Sequence, residues 1–207
     1  MNISNRDRDQ IKQLITEAEE KSNSELIPMI VGHSDLYPAA QFRAAIIVSF
    51  IFSVGLYLSP LSIINPIWFL WIQIPGLLLG YTLGCLPTFT RYLITKREVE
   101  YEVTQRAIEA FFDHNLHTTE KHNGVLIFIS IMERKIKIIT DVGVKAKVDQ
   151  KVWDEIVGDF TSGVRNGEFV EALKNTIIAA ASVLENYFPA DGKPRKNEIK
   201  NELIIED

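Results

Sequence analysis

From Ala44 to Thr90 the chain contains no Asp, Glu, Lys, Arg or His, and Arg43 and Arg91 close that window on either side. This feature limits the possible folds more than any other. A helix that crosses a bilayer takes about 20 mostly apolar residues. The window holds two such lengths, one from Phe42 to about Leu61 and one from Pro66 to Leu86, "PIWFLWIQIPGLLLGYTLGCL". Between them "SPLSIINP" brings two prolines, two serines and an asparagine, which is turn chemistry. The spacing predicts a transmembrane helical hairpin over 42–90. The competing reading is a helical hairpin buried in a soluble core, and 207 residues leave little core to hide it in.

The flanks predict orientation. Arg43 precedes the first span, and Arg91, Lys96 and Arg97 follow the second, while the connecting turn has no positive charge. Positive flanks stay in the cytoplasm, so both termini are expected there. The expected location is an integral two-pass protein of a bacterial inner membrane. Trp68 and Trp71 open the second span, and Tyr92 beside Arg91 suits the other interface. The polar start "MNISNRDRDQ" lacks the apolar stretch of a cleaved secretory signal. The single cysteine, Cys85, forms no internal disulfide. A net charge of -5 argues against nucleic acid as a partner. The expected partners are the lipid bilayer and another membrane protein.

A hairpin returns the chain to its starting side, so residues 1–41 and 91–190 can form one domain of ordinary size. Ile11, Leu14, Ile15 and Ala18 mark a helix over 5–21, and "ELIPMIVG" reads as a strand over 25–32. Val99, Val103, Ala107, Ile108 and Phe111 mark a helix over 95–114, one that could continue the second span without a break. Val125–Met132 is almost wholly apolar, the pattern of a strand covered on both faces. Lys135–Thr140 alternates at first, as a strand nearer the edge does, with Glu133-Arg134 as the turn between. A helix capped by Asp149 runs to Phe160, "TSGVRNGE" breaks it, and a last helix covers 168–187. Residues 191–207 read as a charged, flexible tail. The fold class is α/β: a small mixed sheet with helices on both faces, an α/β/α sandwich, interrupted by the transmembrane hairpin. The first two strands are expected to be parallel and the third antiparallel.

"HTTEKHNGVLIFISIMERKIKIITDVGV" resembles the TPM domain family, through His117, Thr119, Gly124 to Ile127, Ser130, Glu133, Arg134 and Asp141. It looks most like the bacterial membrane branch. "SNSEL", Ser22 to Leu26, and "YFP", Tyr187 to Pro189, resemble the two ends of that domain. The resemblance implies an α/β/α sandwich. It also implies acid phosphatase activity and binding of a divalent cation, Ca or Mg, as attributed to some members. Exported members commonly carry an acidic residue just before the Asn-Gly turn, where this chain has His122. They carry Gly-x-Gly-x-Glu after the second strand, where this chain has "DVGVKAK". Both departures remove oxygen ligands.

Asp141 ends a strand, where α/β sheets often place ligands. Its carboxylate could hold a cation, or simply cap the next turn. Asp35 is a second metal candidate, just past the first strand, but an antiparallel third strand puts Asp141 at the other end of the sheet. Glu133 and Arg134 are expected near His33 and Asp35, as a polar cluster or as a salt bridge locking the turn. The loop residues His117, Thr119 and Asn123 complete the candidates. His114, His117 and His122 suggest a metal cluster only superficially, because zinc needs three or four convergent ligands. No phosphate-binding loop or nucleophile elbow is present. Two functions remain open: a membrane-anchored accessory or assembly factor, and a divalent-metal-dependent phosphatase-like hydrolase.

Overall fold

The structure is a computed structural model that describes residues 3–60, 65–190 and 201–206. The predicted connecting turn at 61–64 and the predicted tail at 191–200 lie outside the described residues. The chain divides into two compact units, Met1–Ser34 with Val103–Asp207, and Asp35–Glu102.

The first unit is built on a mixed four-stranded sheet of order β3-β2-β1-β4, with β1 Glu25–Val31, β2 Gly124–Ser130, β3 Lys135–Thr140 and β4 Ile204–Glu206. β1 runs parallel to β2, with Glu25 opposite Gly124 and Val31 opposite Ser130. β3 returns antiparallel to β2. Every residue of β1 and β2 is buried, as their unbroken apolar runs predict for central strands. Pro28 lies inside β1 opposite Ile127 of β2, just short of the stretch Met29–Val31 that pairs with β4 on the other side.

One face of the sheet carries Leu26, Ile30, Val125, Ile127 and Ile129 into the main core. Three helices complete that core: α1 Asn5–Lys21, α8 Gln150–Arg165 and α9 Phe169–Tyr187. α1 is capped by Ser4 and presents Ile11, Ile15 and Ala18 inward. α8 is capped by Asp149, as its sequence predicts. The opposite face, with Ile27, Met29, Leu126 and Phe128, is equally buried. Val103, Ala107, Ala110 and Phe111 of α6 (Lys96–Asp113), with Leu116 of a 3-10 turn, are the buried apolar residues of this unit left to cover it.

Three local expectations need correction. α8 does not stop at Phe160 but continues through Gly163 to Arg165. A side chain at Gly163 would meet the Ala172 methyl of α9 at 2.8 Å, so this glycine permits helix contact rather than a break. β2 ends at Ser130, two residues early, where the turn into β3 begins, although Ile131 and Met132 still donate to Val31 and Gly32 past the end of β1. The end of the chain is not a loose tail over 204–206. It forms β4, parallel to β1, with Gly32 N donating to Glu206 O and Arg106 pairing with the Glu206 carboxylate at 2.7 Å. Two apolar isoleucines and an open strand edge outweigh the charged composition around them.

The second unit contains α2 Pro38–Leu58, α3 Trp68–Trp71, α4 Gln73–Gly84 and α5 Pro87–Leu93. α2 is long and apolar enough to cross a membrane. The second apolar run, Trp68–Gly84, passes that test only together with α5, from which it is bent by 99°. It therefore does not run on into α6: Leu86 is extended ahead of Pro87, and Ile94 is extended again after α5.

α2 and α4 pack antiparallel through small residues. Gly76, Gly80 and Gly84 recur every fourth residue and are the buried residues of α4. A side chain at Gly80 would lie 2.6 Å from Ala45 Cα, one at Gly76 2.7 Å from Ser49 Cα, and one at Gly84 2.8 Å from Gln41 Cα. Ala40, Ala44, Ala45 and Ser49 form the matching stripe of α2. The helices meet backbone to backbone through these small residues.

Candidate functional site

Strand register creates two polar ends in the sheet. At one, Glu25, Gly124 and Thr140 come together, and at the other Val31, Ser130 and Lys135. Seven-residue strands separate them by roughly 20 Å.

Asp141 stands at the first end and is buried. Its backbone N–H donates to Gly124 O, and its carboxylate accepts from Val142 N at 2.7 Å, which caps the short helix α7 (Val142–Lys145). The second carboxylate oxygen lies 3.3 Å from His122 Nδ1. His122 has a left-handed backbone, φ 50°, and an exposed ring. Its carbonyl accepts from Gly143 N, so closely that a side chain at Gly143 would collide with it.

The neighbouring loop is held by its own polar side chains. Thr119 Oγ1 accepts from Asn123 N, and Asn123 Nδ2 donates to Asn23 O ahead of β1. Asn23 in turn donates from its side chain to Pro189 O and from its backbone to Phe188 O, both at 2.8 Å. Three motif fragments distant in the sequence, Ser22–Leu26, His117–Ile127 and Tyr187–Pro189, thus meet at one end of one sheet. Ser24 and Glu25 are fully buried there, and Glu19 accepts from Leu26 N at 3.2 Å. His117 is half-buried, with its ring 4.7 Å from that of Phe112.

Glu133 stands at the second end and is also buried. It accepts from Ser34 N at 2.9 Å and from Ser130 Oγ. It thereby ties the β2–β3 turn to the segment after β1. Arg134 takes the left-handed position of that turn, φ 54°, and is exposed, as is His33. Asp35 belongs to the other unit, where it accepts from Tyr37 N at 2.8 Å and shapes the approach to α2.

A calcium site takes six or more oxygen ligands and a magnesium site an octahedral set. Both oxygens of Asp141 already have polar neighbours, Val142 N and His122 Nδ1, and no group of three His, Cys, Asp or Glu able to hold a metal exists among the described residues. Among the described residues, no set of ligands for the divalent ion that the resemblance implies converges on Asp141. The residues present do what polar side chains at strand ends do: satisfy backbone N–H groups and fix turns.

Sequence reasoning missed a second polar node, in the other unit. Arg43 forks onto Glu98 with contacts of 2.9 and 2.5 Å and donates to Leu93 O. Glu98 also accepts from Thr95 N and Thr95 Oγ1, while Thr95 Oγ1 accepts from Glu98 N. Thr95-x-x-Glu98 is a capping box, legible before α6 in the sequence. The Arg43 guanidinium, and then the Thr95 N–H, hold the Glu98 carboxyl down to about 2.

The model of the TPM domain matches residues 90–183. No curated protein matches the chain. Among solved structures, the chain is similar to the BA42 protein of the psychrophilic bacterium Bizionia argentinensis, determined by NMR. The two share 16% identity at a TM-score of 0.62, over 99% of this chain and 96% of that one, a likeness of fold. Of the motif fragments gathered at the first end of the sheet, His117–Ile127 lies within the span that matches the TPM domain.

Proposed function

We propose that this protein is a TPM domain held at a membrane by a two-helix hairpin, and that it serves there as an accessory or assembly factor for another membrane protein, on the cytoplasmic side. One observation carries the anchoring: α2 and α4 bury their glycine and alanine stripes against each other and turn their large apolar side chains outward. Only 22% of the apolar window of α2 is buried, whereas the core helix of a soluble protein is mostly buried. Phe42, Ile46, Phe50 and Leu58 of α2, and Trp68, Leu70 and Leu78 of its partner run, are all about half exposed or more. In water that arrangement leaves apolar surface wet on every outer face; in lipid it is the expected one. α3 and α4, four and twelve residues around Ile72, are short for a span but within the working range of roughly 17 to 25.

The accessory role is supported by the backbone N–H groups that Asp141 and Glu133 hold, and by the lack of a convergent metal-ligand set among the described residues. Orientation rests on Arg43, Arg91, Lys96 and Arg97. Membranes washed with alkaline carbonate test the anchoring: the chain stays in the pellet. In a Cys85→Ser background, a thiol introduced by Pro60→Cys reacts from outside the cell, and one introduced by Glu120→Cys reacts only after permeabilisation. Recovery in the carbonate supernatant removes the membrane reading, and the reverse labelling pattern removes the orientation. For the accessory role, crosslinking in membranes yields one stoichiometric membrane-protein adduct; a lone chain counts against it.

A further inference from the structure

We infer that α5 and the first turn of α6 form a shelf that binds anionic phospholipid headgroups. The inference rests on the hairpin reading and adds a lipid class and the residues that select it. α4 ends at Gly84 and the chain turns by 99° into α5. The turn is built rather than frayed. Pro87 has no N–H to leave unsatisfied, and the buried Thr90 hydroxyl bonds Gly84 O, a carbonyl released by the break, at 2.7 Å and Leu86 O, the first carbonyl of α5, at 3.0 Å. With Thr90 turned in, Phe89 and Tyr92 stand 48% and 85% exposed. A short helix set across the end of a span, with exposed rings, has the form of an interfacial element.

Charge identifies what it faces. Arg43 is consumed by Glu98. Arg91, Lys96 and Arg97 are exposed, and none pairs with a carboxylate among the described residues. Three cations without a carboxylate partner among the described residues lie within seven residues, beside exposed rings of the kind that favour the membrane interface, and complement the phosphodiester of an anionic lipid. A cation near an anionic surface contributes about fivefold in association, the equivalent of ~1 kcal/mol.

The native Cys85, exposed at the end of α4, supplies a reporter beside the shelf. The full chain, labelled there with bimane, is reconstituted into phosphatidylcholine vesicles. Quenching by 5-doxyl phosphatidylglycerol is compared with quenching by 5-doxyl phosphatidylcholine. The expected preference for the anionic lipid is roughly fivefold or more. Arg91→Gln, Lys96→Gln and Arg97→Gln together bring the ratio to about one while the chain stays carbonate-resistant. Arg8→Gln, Lys12→Gln and Lys151→Gln together leave it unchanged. Salt near 0.5 M collapses the wild-type ratio without any variant, whereas millimolar inorganic phosphate does not. A wild-type ratio of one, a triple variant that keeps the preference, or competition by inorganic phosphate overturns the shelf and leaves the hairpin standing. A wild-type chain that carbonate extracts and neither lipid quenches overturns the hairpin, and the shelf with it.

Discussion

At the scale of single residues, two buried acids each fasten backbone N–H groups. Asp141 and Glu133 are the two most suggestive carboxylates in the sequence, and each is buried with backbone N–H groups as partners. Asp141→Ala is expected to cost about 1 kcal/mol through loss of the α7 cap, and Asp141→Asn distinctly less, because asparagine also caps. Denaturant titration of the full chain in detergent checks both; equal losses, or a midpoint raised by Ca²⁺ in the wild type, speak for a metal ligand instead. Glu133→Ala strands the Ser34 N–H and the Ser130 hydroxyl, at about 1–3 kcal/mol for each group left without a partner. Glu98 makes a pH prediction. Its carboxyl titrates near 2 in the fold, against an ordinary 4.5. A depressed acid stabilises fully above its unfolded pKa and loses that stabilisation as pH falls through its folded one. The Arg43–Glu98 contribution is therefore present above about 4.5 and disappears toward 2. Glu98→Gln flattens that part of the stability-against-pH curve, with a modest change at neutral pH, since the pair is partly exposed.

At the scale of elements, the α2–α4 seam is the sharpest feature. Glycine in a helix interior costs about 1 kcal/mol relative to alanine in isolation, and α4 has three of them on one face. They are compatible with the helix only because a second helix fills the space that side chains would take. Gly80→Ile forces Ala44 and Ala45 away, at about 1–3 kcal/mol. A disulfide crosslink between thiols introduced by Ser49→Cys and Gly76→Cys forms readily in the native background and is suppressed by Gly80→Ile. Unchanged crosslinking in that variant dismisses the seam. The four-residue spacing of these glycines is visible in the sequence, but the partner stripe on α2 shows only in the tertiary structure. The Pro87 bend was also legible in part. Proline predicts that the helix stops there, while the bond that ties α5 back to α4, from the Thr90 hydroxyl to Gly84 O, shows only in the tertiary structure.

At the scale of the whole molecule, one unit is a mixed-sheet domain that holds most of the span matching the TPM domain, and the other is helical, its chain leaving the first after β1 and returning through α6. The terminal strand closes the edge of β1. Ending the chain at Ala190 is expected to expose the β1 edge, free Arg106 and speed amide exchange in β1, read by hydrogen–deuterium exchange; unchanged protection would mean that β4 adds nothing. The sequence alone determined the uncharged window, the parallel β1–β2 pair, the antiparallel return of β3 and the opposite placement of the two sheet ends, because each follows from local composition, periodicity 2 or 3.6, and the rule for crossovers. It did not show β4, because three residues of tail carry no periodic signal and become a strand only against an existing edge. Nor did it show that Asn23 and Asn123 fasten three distant fragments, or that Glu98 holds Arg43. These depend on which backbone groups lie unsatisfied once the chain is folded, and that is decided by the tertiary structure, since a buried N–H takes whatever acceptor the packing brings within reach.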